Sequence, residues 1–560
     1  MPKYVVRERV GETLTEHLLY HRGITSVEEQ TKFLNPDYEA HTHDPFLMKD
    51  MEKVVARIVS AVEKNERTAI FSDYDADGIP GAVVMHDFFK KVGYTNFENY
   101  IPDRHVEGFG LNTKAVEDIA ARGARLLLTI DCGITDREEV ARANVLGMEV
   151  IITDHHLPGI ELPPAYAILN PKQDDCAYPE KMLCGSGVVF KLVQALCSRL
   201  KTGNIPHGWE KWLLDMIGLA TLSDMVPLTG ENRTFAHYGL KVLRKSPRVG
   251  LAALFRELRV EREHITEDDV GFVITPRINA ASRMGQPFDA FRLFSTSDAL
   301  EAGMLATHLN KINDERKGRV AALVREVRRI VAEGHASRAP AIVVAGNPAW
   351  RPALLGLVAN TLVEDYRKPV FVWGREGNNI LKGSCRSDGS VDLSALMHEA
   401  RSVFSDFGGH REAGGFAVAL EKVHLLENEL ERAYERVRQE REKEEPKYRV
   451  DAALSLDEVG EELWRSVARL APFGVGNPKP LFLFECLRVS LVELFGRERQ
   501  HLKLIFQKKN GERVSAVKFY STPDDFDGLA AGQQVNILAH LEQSFFRSVP
   551  ELRLRLVDIV

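Results

Sequence analysis

Three aspartates stand at every second position in TAIFSDYDADGIPGA, residues 68–82, and a glycine follows the last of them. Held this close, the carboxylates of Asp73, Asp75 and Asp77 repel one another. The spacing resembles a calcium-binding EF-hand loop, which needs a glutamate at its twelfth position. Counted from Asp73, that position is Val84, and the apolar run before the motif favours a strand over a helix. The pattern argues against an EF-hand and leaves a catalytic metal site or an acidic turn.

Further carboxylates and imidazoles follow other apolar runs. Asp131 follows RLLLTI, the stretch Asp154–His156 follows MEVIIT, and Asp224 follows IGLATLS. If these runs are strands that neighbour TAIF, their carboxyl ends lie at one edge of a sheet, where ligands bind in α/β folds. The sequence therefore predicts that all these groups converge.

Metal cations bound where these groups converge would relieve the repulsion between the carboxylates. Two divalent cations about 3.5–4 Å apart can be bridged by carboxylates, and such a pair serves in-line phosphoryl displacement. Oxygen ligands with one or two imidazoles favour Mn²⁺ or Mg²⁺ over zinc. Each feature also has a simpler interpretation: an acidic turn for the triple aspartate, a helix N-cap for Asp131 or Asp224, and chance for the adjacent histidines. Their order along the chain favours the metal site.

The elements that position these groups are indicated by periodicity. Residues 1–64 are predicted to be a helical extension, and strand–helix alternation over 65–235 predicts a parallel α/β sheet. Residues 236–335 are predicted to be a helical connector, whose charged, proline-free last part favours a long rigid helix. A second, smaller α/β domain is expected over 336–440.

Residues 446–560 have a different pattern of apolar and polar residues from the rest of the chain. Short alternating segments, with Asn510-Gly511 as a hairpin signal, predict a β-barrel. Such a barrel can hold a single strand by base stacking and backbone charge. The candidate residues are Lys508, Lys509, Phe519 and Tyr520, although the barrel core is the favoured position for Phe519.

Composition limits the partners and the compartment. The 560 residues carry a net charge of −7, so nucleic acid would be bound through local basic patches. The six cysteines form no CxxC pair and are expected to be thiols of a cytoplasmic protein. The sequence offers neither a signal-peptide core nor an apolar run long enough to span a membrane, so no membrane partner is expected.

The motifs carry a family resemblance. DYDADG, TIDCG, TDHH and LSDMVPL, in this order, resemble the four motifs of the DHH phosphoesterase superfamily. Five further stretches narrow the resemblance to the RecJ family of single-strand-specific 5′→3′ exonucleases. They are IPDRHVEGFGL (101–111), PRINAASRMG (276–285), GSCRSDG (383–389), GGHREAGGFA (408–417) and APFGVGNPKP (471–480). The resemblance covers the chain from about residue 65 and implies a DHH domain, a DHH-associated domain and an oligonucleotide-binding (OB) barrel.

The resemblance also implies residue roles. Asp73 would lie beside the metals, Asp154 would orient a histidine, and His156 would be a ligand or a phosphate contact; we group these three as catalytic. The implied metal ligands are Asp75, Asp77, Asp131, His155 and Asp224.

Substrate contacts follow in the same way. Arg104, Ser384 and Arg386 match positions that hold a terminal 5′ phosphate. The residues that match the wall of the cleft between the lobes are Arg277, Asn279, Arg283 and His410. The backbone N–H groups at the glycine pair Gly408 and Gly409 are expected to contact phosphate oxygens. Two departures stand out: Phe71 replaces a histidine ligand of many relatives, and Arg351 replaces another family histidine.

The expected function is a 5′→3′ exonuclease of single-stranded DNA that uses two cations, Mn²⁺ in preference to Mg²⁺, and releases nucleoside 5′-monophosphates. A role in DNA repair and recombination is implied, with a helicase and a single-strand-binding protein as partners. One alternative is a phosphodiesterase of short RNA, cyclic dinucleotides or polyphosphate, and another is a non-catalytic scaffold. The C-terminal barrel argues against small substrates, and the retained carboxylates argue against a scaffold.

Overall fold

A computed structural model of the chain describes residues 3–560 except 201–204, 335–339, 376–379, 439–446, 497, 527 and 546–549. The chain begins with β1 (Tyr4–Val6), α1 (Leu14–Tyr20), α2 (Val27–Leu34) and α3 (Met51–Glu63). Leu18 and Phe33 are buried in the core of the C-terminal barrel, whereas Val54 and Ile58 of α3 are buried in the core of the α/β domain. The N-terminal residues therefore contribute to two separate cores.

The first lobe is built on a five-stranded parallel sheet, as predicted. Its elements are β2 (Thr68–Ser72), α4 (Gly78–Lys91), β3 (Phe97–Tyr100), α5 (Thr113–Ala121), β4 (Leu126–Ile130), α6 (Arg137–Val145), β5 (Glu149–Thr153), β6 (Ala167–Leu169), α7 (Gly185–Arg199) and α8 (Leu214–Ser223). The strand order is β3-β2-β4-β5-β6. Helices α4 and α7 cover one face and α5 and α6 the other, which explains why the central strands are apolar throughout.

The expectation that Asp224 follows a strand was wrong. The apolar run before it forms α8, and Asp224 is the residue at the C-terminal end of that helix. Residues 214–221 are all buried, so the helix is buried around its whole circumference and most of its side chains are apolar. A short continuous apolar run of this kind is compatible with either a buried strand or a buried helix.

The connector is helical, as predicted. It contains α9 (Gly230–Leu243), α10 (Val249–Leu258), a π-helical turn (Asp269–Ile274), α11 (Thr275–Arg283), α12 (Pro287–Ser295) and α13 (Ala299–Gly334). Helix α13 has 36 residues. Its N-terminal part buries Ala302 and Leu309 in the first lobe, and Val324 and Val327 are buried in the second. One continuous helix therefore joins the two lobes.

The second lobe is a smaller mixed sheet covered by helices. Its elements are β7 (Val343–Gly346), α14 (Pro352–Tyr366), β8 (Val370–Arg375), β9 (Ile380–Arg386), α15 (Leu393–Glu399), β10 (Asp406–Gly409), β11 (Ala413–Ala419) and α16 (Leu426–Val437). The strand order is β10-β11-β9-β8-β7, with β7 and β8 parallel. The predicted domain limits at 335, 336, 440 and 446 lie outside the described residues.

The C-terminal domain is the predicted barrel. It contains β12 (Tyr448–Val450), β13 (Ala452–Ala453), α17 (Glu461–Ala468), β14 (Phe482–Arg488), β15 (Leu491–Phe495), β16 (His501–Gln507), β17 (Arg513–Lys518), β18 (Gln534–Ser544) and β19 (Glu551–Ile559). The turn at Asn510-Gly511 joins the antiparallel pair β16 and β17, which confirms the hairpin. Within the described ranges, no helix is long and apolar enough to cross a bilayer.

A buried arginine ties three parts of the chain together. Arg233 of α9 donates hydrogen bonds to the carbonyl oxygens of Phe33 (2.8 Å), Ala471 (3.1 Å) and Pro472 (3.4 Å). Its guanidinium carbon lies 3.6 Å from the centre of the Phe33 ring. The N-terminal segment, the helical connector and the segment that leads into the barrel are therefore held together by one side chain.

We predict that Arg233→Met lowers the free energy of unfolding by about 3 kcal/mol, because it leaves buried carbonyl groups without donors. Urea denaturation measures the change. The control is Arg465→Met on α17, whose side chain is 75% exposed and which should change stability by less than about 0.5 kcal/mol. Equal effects of the two substitutions would contradict the assigned role of Arg233.

Candidate metal centre and substrate cleft

The predicted groups converge at the carboxyl ends of three adjacent strands. Asp73, Asp75 and Asp77 follow β2, Asp131 follows β4, and residues 154–156 follow β5. The loop after α8 brings Asp224 to the same place. Within each of three sets, the candidate ligand atoms lie within 4.8 Å of one another. The sets are Asp73, Asp75 and Asp131; Asp77, His155 and Asp224; and Asp131, His155 and His156.

The aspartate loop is closed by its own side chain. Asp75 Oδ1 accepts hydrogen bonds from the backbone N–H groups of Asp77 (2.8 Å) and Gly78 (3.1 Å). A Cβ atom at Gly78 would lie 2.4 Å from the carbonyl oxygen of Asp73, so this tight turn requires glycine. The N–H of Ala76 donates to Asn279 Oδ1 at 3.0 Å. Asn279, predicted to line the cleft, therefore contacts the metal loop.

Asp77 lies at the N-terminus of α7. Its carboxylate accepts hydrogen bonds from the N–H groups of Gly185 (2.6 Å) and Ser186 (2.8 Å). The positive end of a helix dipole stabilises such an anion. A Cβ atom at Gly185 would lie 2.6 Å from Asp131 Oδ1. Sequence reasoning missed these two residues, although the GSG at 185–187 before an apolar run is a signal of close backbone approach.

His155 lies among three carboxylates. Its Nε2 atom is 3.2 Å from Asp131 Oδ1, 3.7 Å from Asp224 Oδ2 and 3.8 Å from Asp77 Oδ2. Burial lowers the pKa of His155 and outweighs the opposite effect of the Asp77 charge. The imidazole is therefore neutral near pH 7, which is the form that binds metals.

Asp154 orients the neighbouring histidine. Its Oδ1 accepts from the N–H groups of His155 (2.7 Å) and His156 (3.1 Å) and pairs with His156 Nδ1 at 2.8 Å. Burial disfavours the charged forms of both Asp154 and His156, but their hydrogen bond and opposite charges outweigh it. The pKa of Asp154 is therefore lowered and that of His156 is raised. Because this pairing occupies His156 Nδ1, Nε2 is the ring nitrogen available to a metal or a phosphate.

The cluster has the electrostatics of a cation site. Burial, reinforced by the neighbouring carboxylates, raises the pKa of Asp73, Asp75 and Asp131, and raises that of Asp224 to about 9. Among the described residues, Asp73 Oδ1 and Asp131 Oδ1 are buried without a hydrogen-bond partner. Buried acceptors of this kind normally have a partner. Divalent cations would satisfy them, so the residues fit the implied metals.

Phe71 takes no part in this cluster. It is fully buried and stacks on Tyr100, with 5.3 Å between ring centres, in the core beneath α5 and α6. The carboxylate of Asp73, grouped with Asp75 and Asp131, supplies a candidate ligand that does not depend on position 71.

A polar cavity of about 290 Å³ separates the two lobes beside this cluster. From the first lobe it is lined by Tyr74 and by Arg104, whose guanidinium lies over the Tyr74 ring at 5.1 Å. From the second lobe it is lined by Ser384 and Gly408, as predicted for a phosphate site, and by Lys382, which sequence reasoning did not single out.

The other residues predicted to contact the substrate do not line this cavity. Arg386 ends β9 and donates to the Cys385 carbonyl at 2.7 Å. Arg283 bridges the lobes by donating to the Ala353 carbonyl at 2.7 Å. Arg277 is bound to the Val273 carbonyl and to Asn310. Gly409 and His410 stand at the tip of the β10–β11 hairpin, where His410 N–H donates to the Ala413 carbonyl at 2.8 Å.

The predicted barrel residues divide between its two ends. Lys508 and Lys509 flank the β16–β17 turn and pair with Glu512 and Asp457. Phe519 and Tyr520 follow the other end of β17, where Tyr520 is 81% exposed. The aromatic pair and the lysine pair therefore cannot form one patch.

Comparison with known proteins identifies the family. The chain matches the DHH family N-terminal domain over 67–221, the DHHA1 domain over 339–441 and the RecJ OB domain over 450–558. It is 35% identical to the single-stranded-DNA-specific exonuclease RecJ of Bacillus subtilis (strain 168), over 97% of this chain and 67% of that protein. The chain belongs to the RecJ family.

Solved RecJ structures share the fold. The crystal structure of RecJ in complex with Mn²⁺ from Thermus thermophilus is similar with a TM-score of 0.79 and 27% identity, over 98% of this chain and 76% of that one. The corresponding Mg²⁺ complex gives a TM-score of 0.73 and 26% identity, over 98% and 74%. The RecJ of Thermus thermophilus has thus been crystallised with either cation.

We predict that Mn²⁺ stabilises this RecJ-family chain more at pH 8 than at pH 5.5. Without metal, folded Asp224 keeps its proton up to about pH 9, whereas the unfolded residue releases it near its ordinary value of 3.8. The contribution of protonated Asp224 to folding stability is therefore present below pH 4 and lost as the pH rises towards 9. A cation that replaces the proton restores this contribution.

Thermal unfolding followed by circular dichroism, with and without Mn²⁺, measures this effect. Asp224→Asn should reduce the Mn²⁺-induced rise in Tm and its dependence on pH. The exposed Asp174→Asn should leave both unchanged. An equal rise in Tm at the two pH values would contradict the metal assignment.

Proposed function

We propose that the chain is a 5′→3′ exonuclease of single-stranded DNA that hydrolyses phosphodiester bonds with two divalent cations and releases nucleoside 5′-monophosphates. The observation that carries the proposal is the cavity lined by Arg104, Ser384 and Tyr74, the residue that stands between the candidate ligands Asp73 and Asp75. Membership in the RecJ family, whose relatives are named single-stranded-DNA-specific exonucleases, supports the substrate.

The ligands proposed for the two cations are Asp73, Asp75, Asp77, Asp131, His155 and Asp224. When bound, such a pair of cations offsets the charge that develops on the reacting phosphate and activates water for in-line attack. The imidazoles beside the carboxylates support Mn²⁺ as the preferred ion, since nitrogen ligands suit it better than they suit Mg²⁺.

The remaining side chains position the substrate and the ligands. The Arg104 guanidinium can form two parallel hydrogen bonds to a terminal phosphate, with the Ser384 hydroxyl and the Lys382 ammonium as further donors. Stacking on Tyr74 fixes the plane of that guanidinium. Asn279 and Asp154 hold the aspartate loop and His156 in place. A strand held by its 5′ phosphate presents its first internucleotide bond to the metal centre.

The cellular role is also proposed. An enzyme that degrades single strands from a 5′ end suits DNA repair and recombination. Its partners would be a helicase that opens the duplex and a single-strand-binding protein that binds the separated strand. The six free thiols support a cytoplasmic location. A phosphodiesterase of short RNA or other small substrates is less favoured, because the barrel adds a surface that such substrates do not need.

We predict that Arg104→Ala lowers kcat/KM on 5′-phosphorylated single strands by roughly 10- to 100-fold, since a hydrogen bond to a charged group is worth about 1.5–3 kcal/mol. The variant should also lose the preference for a 5′-phosphate over a 5′-hydroxyl. Product analysis of 5′-labelled and 3′-labelled strands measures both effects and the direction of degradation.

Two control variants accompany this experiment. The exposed Arg375→Ala should behave as wild type, and Asp131→Ala should bind single strands but not cleave them. Degradation from the 3′ end, or a phosphate preference that survives Arg104→Ala, would contradict the proposal.

A further inference from the structure

A buried arginine, Arg248, bridges two helices of the first lobe. Its side chain is 12% exposed, and its Nη1 pairs with Asp87 of α4 at 2.6 Å. Its Nε donates to Asp215 of α8 at 2.9 Å. The same guanidinium also donates to the carbonyl oxygen of Phe294 in α12, at 3.2 Å. The proposed chemistry gives none of these residues a role.

The two helices that Arg248 joins both lead to the candidate metal centre. Helix α4 begins directly after Asp77, and α8 ends directly before Asp224. These two aspartates belong to the same set of candidate ligands. Asp87 follows Asp77 by ten residues and Asp215 precedes Asp224 by nine, so at 1.5 Å per residue each pair is about 14 Å apart along its helix. Arg248 therefore joins the helices at the ends that are remote from the metals.

The position of Asp224 depends on α8 rather than on contacts of its own carboxylate. The carboxylate of Asp77 is fixed by the N–H groups of Gly185 and Ser186. Asp224 faces His155 Nε2 at 3.7 Å, and within the part of the chain that the structure describes no group donates a hydrogen bond to its carboxylate. A shift of α8 along its axis would therefore change the distance between Asp224 and Asp77.

The neighbouring helix α9 does little to prevent such a shift. It lies against α8 at Gly218 and Gly239, where a Cβ atom on Gly218 would lie 2.5 Å from the Cα of Gly239. Glycines allow this close approach of two backbones but present no side chain that could interlock. The charged hydrogen bonds at Asp215 supply a restraint along the axis, because they are short and directional.

The bridge is itself held rigidly. Asp215 accepts hydrogen bonds from the Ser246 hydroxyl (2.6 Å) and from the N–H of Met216 (2.7 Å). The backbone N–H of Arg248 donates to Ser246 Oγ at 3.2 Å. Burial lowers the pKa of the Arg248 guanidinium, but the charges of Asp215 and Asp87 outweigh this effect and raise it. The arginine is therefore always charged, and its place between the two helices is fixed.

We propose that Arg248 is a positioning residue that sets the register of α4 against α8 and, through it, the separation of Asp77 and Asp224. It touches neither the substrate nor the cations. Loss of the bridge should weaken the cation bound at the set that contains Asp224 and spare the cation bound at the set that contains Asp73. Groups that orient metal ligands typically contribute 10- to 100-fold to metal affinity. The inference rests on the two-cation centre of the proposed function.

Manganese binding to the substrate-free protein tests this role. Isothermal titration calorimetry gives the affinities, and the EPR signal of unbound Mn²⁺ counts the ions that are bound. Arg248→Lys keeps the charge but loses the planar fork that reaches two carboxylates. It should weaken one manganese affinity by about tenfold and leave the other within about twofold of wild type.

A second variant opens the bridge from the other helix. Asp87→Asn removes the charge on α4 while Arg248 keeps its partner Asp215, so it should cause the same selective loss. A cavity of about 460 Å³ is lined by Asp87, Asp215 and Arg248 and is large enough for water. Water can therefore hydrate the groups that either substitution leaves without a partner, and both variants are expected to fold.

Arg57→Met is the matched control. Arg57 is also buried, with a side chain 10% exposed, and it pairs with two carboxylates, those of Glu66 and Glu149. These glutamates stand at the beginning of β2 and β5, whose register is already fixed by the hydrogen bonds of the sheet. The substitution should lower Tm but leave both manganese affinities unchanged.

Two outcomes overturn the inference. In the first, Arg248→Lys and Asp87→Asn bind both manganese ions as tightly as wild type. In the second, both affinities fall together, and by as much in Arg57→Met, so that the loss follows stability and not the bridge. Because binding is measured without substrate, a wild type that binds two ions but cleaves no single strand would contradict the proposed function and not the role of Arg248.

Discussion

The structure depends on the mutual repulsion of buried carboxylates. Asp73, Asp75, Asp131 and Asp224 are brought together at one sheet edge, where burial and neighbouring charge raise the pKa of each. Such a cluster opposes folding unless cations balance it. The candidate ligand atoms of each set lie within 4.8 Å of one another, and two carboxylate oxygens have no hydrogen-bond partner, so the site fits such cations.

Much of the surrounding structure serves to hold this cluster. The parallel sheet supplies three strand ends, the N-terminus of α7 binds Asp77, and glycine at 78 and 185 removes side chains that would collide with the site. Helix α13 keeps the second lobe, with Ser384 and Gly408, across the cavity from Arg104. If this cavity holds the terminal phosphate, as proposed, its fixed position relative to the metal ligands sets which phosphodiester bond is cleaved.

The sequence predicts those features that depend on local pattern. Strand ends marked by Asp131 and His155 could be identified because apolar runs stop there, and the hairpin at Asn510-Gly511 has a turn signal of its own. The helix before Asp224 could not, because a short run that is buried on all sides suits either secondary structure. The contact of Asn279 with Ala76, and the bridge from Arg248 to α4 and α8, depend on tertiary packing of segments remote in sequence.

Anomalous diffraction from crystals grown with Mn²⁺ tests the central claim most directly. The account predicts two separate manganese peaks, one beside Asp73, Asp75 and Asp131 and one beside Asp77, His155 and Asp224. A single peak, or peaks away from these side chains while the carboxylates remain paired with one another, would contradict it.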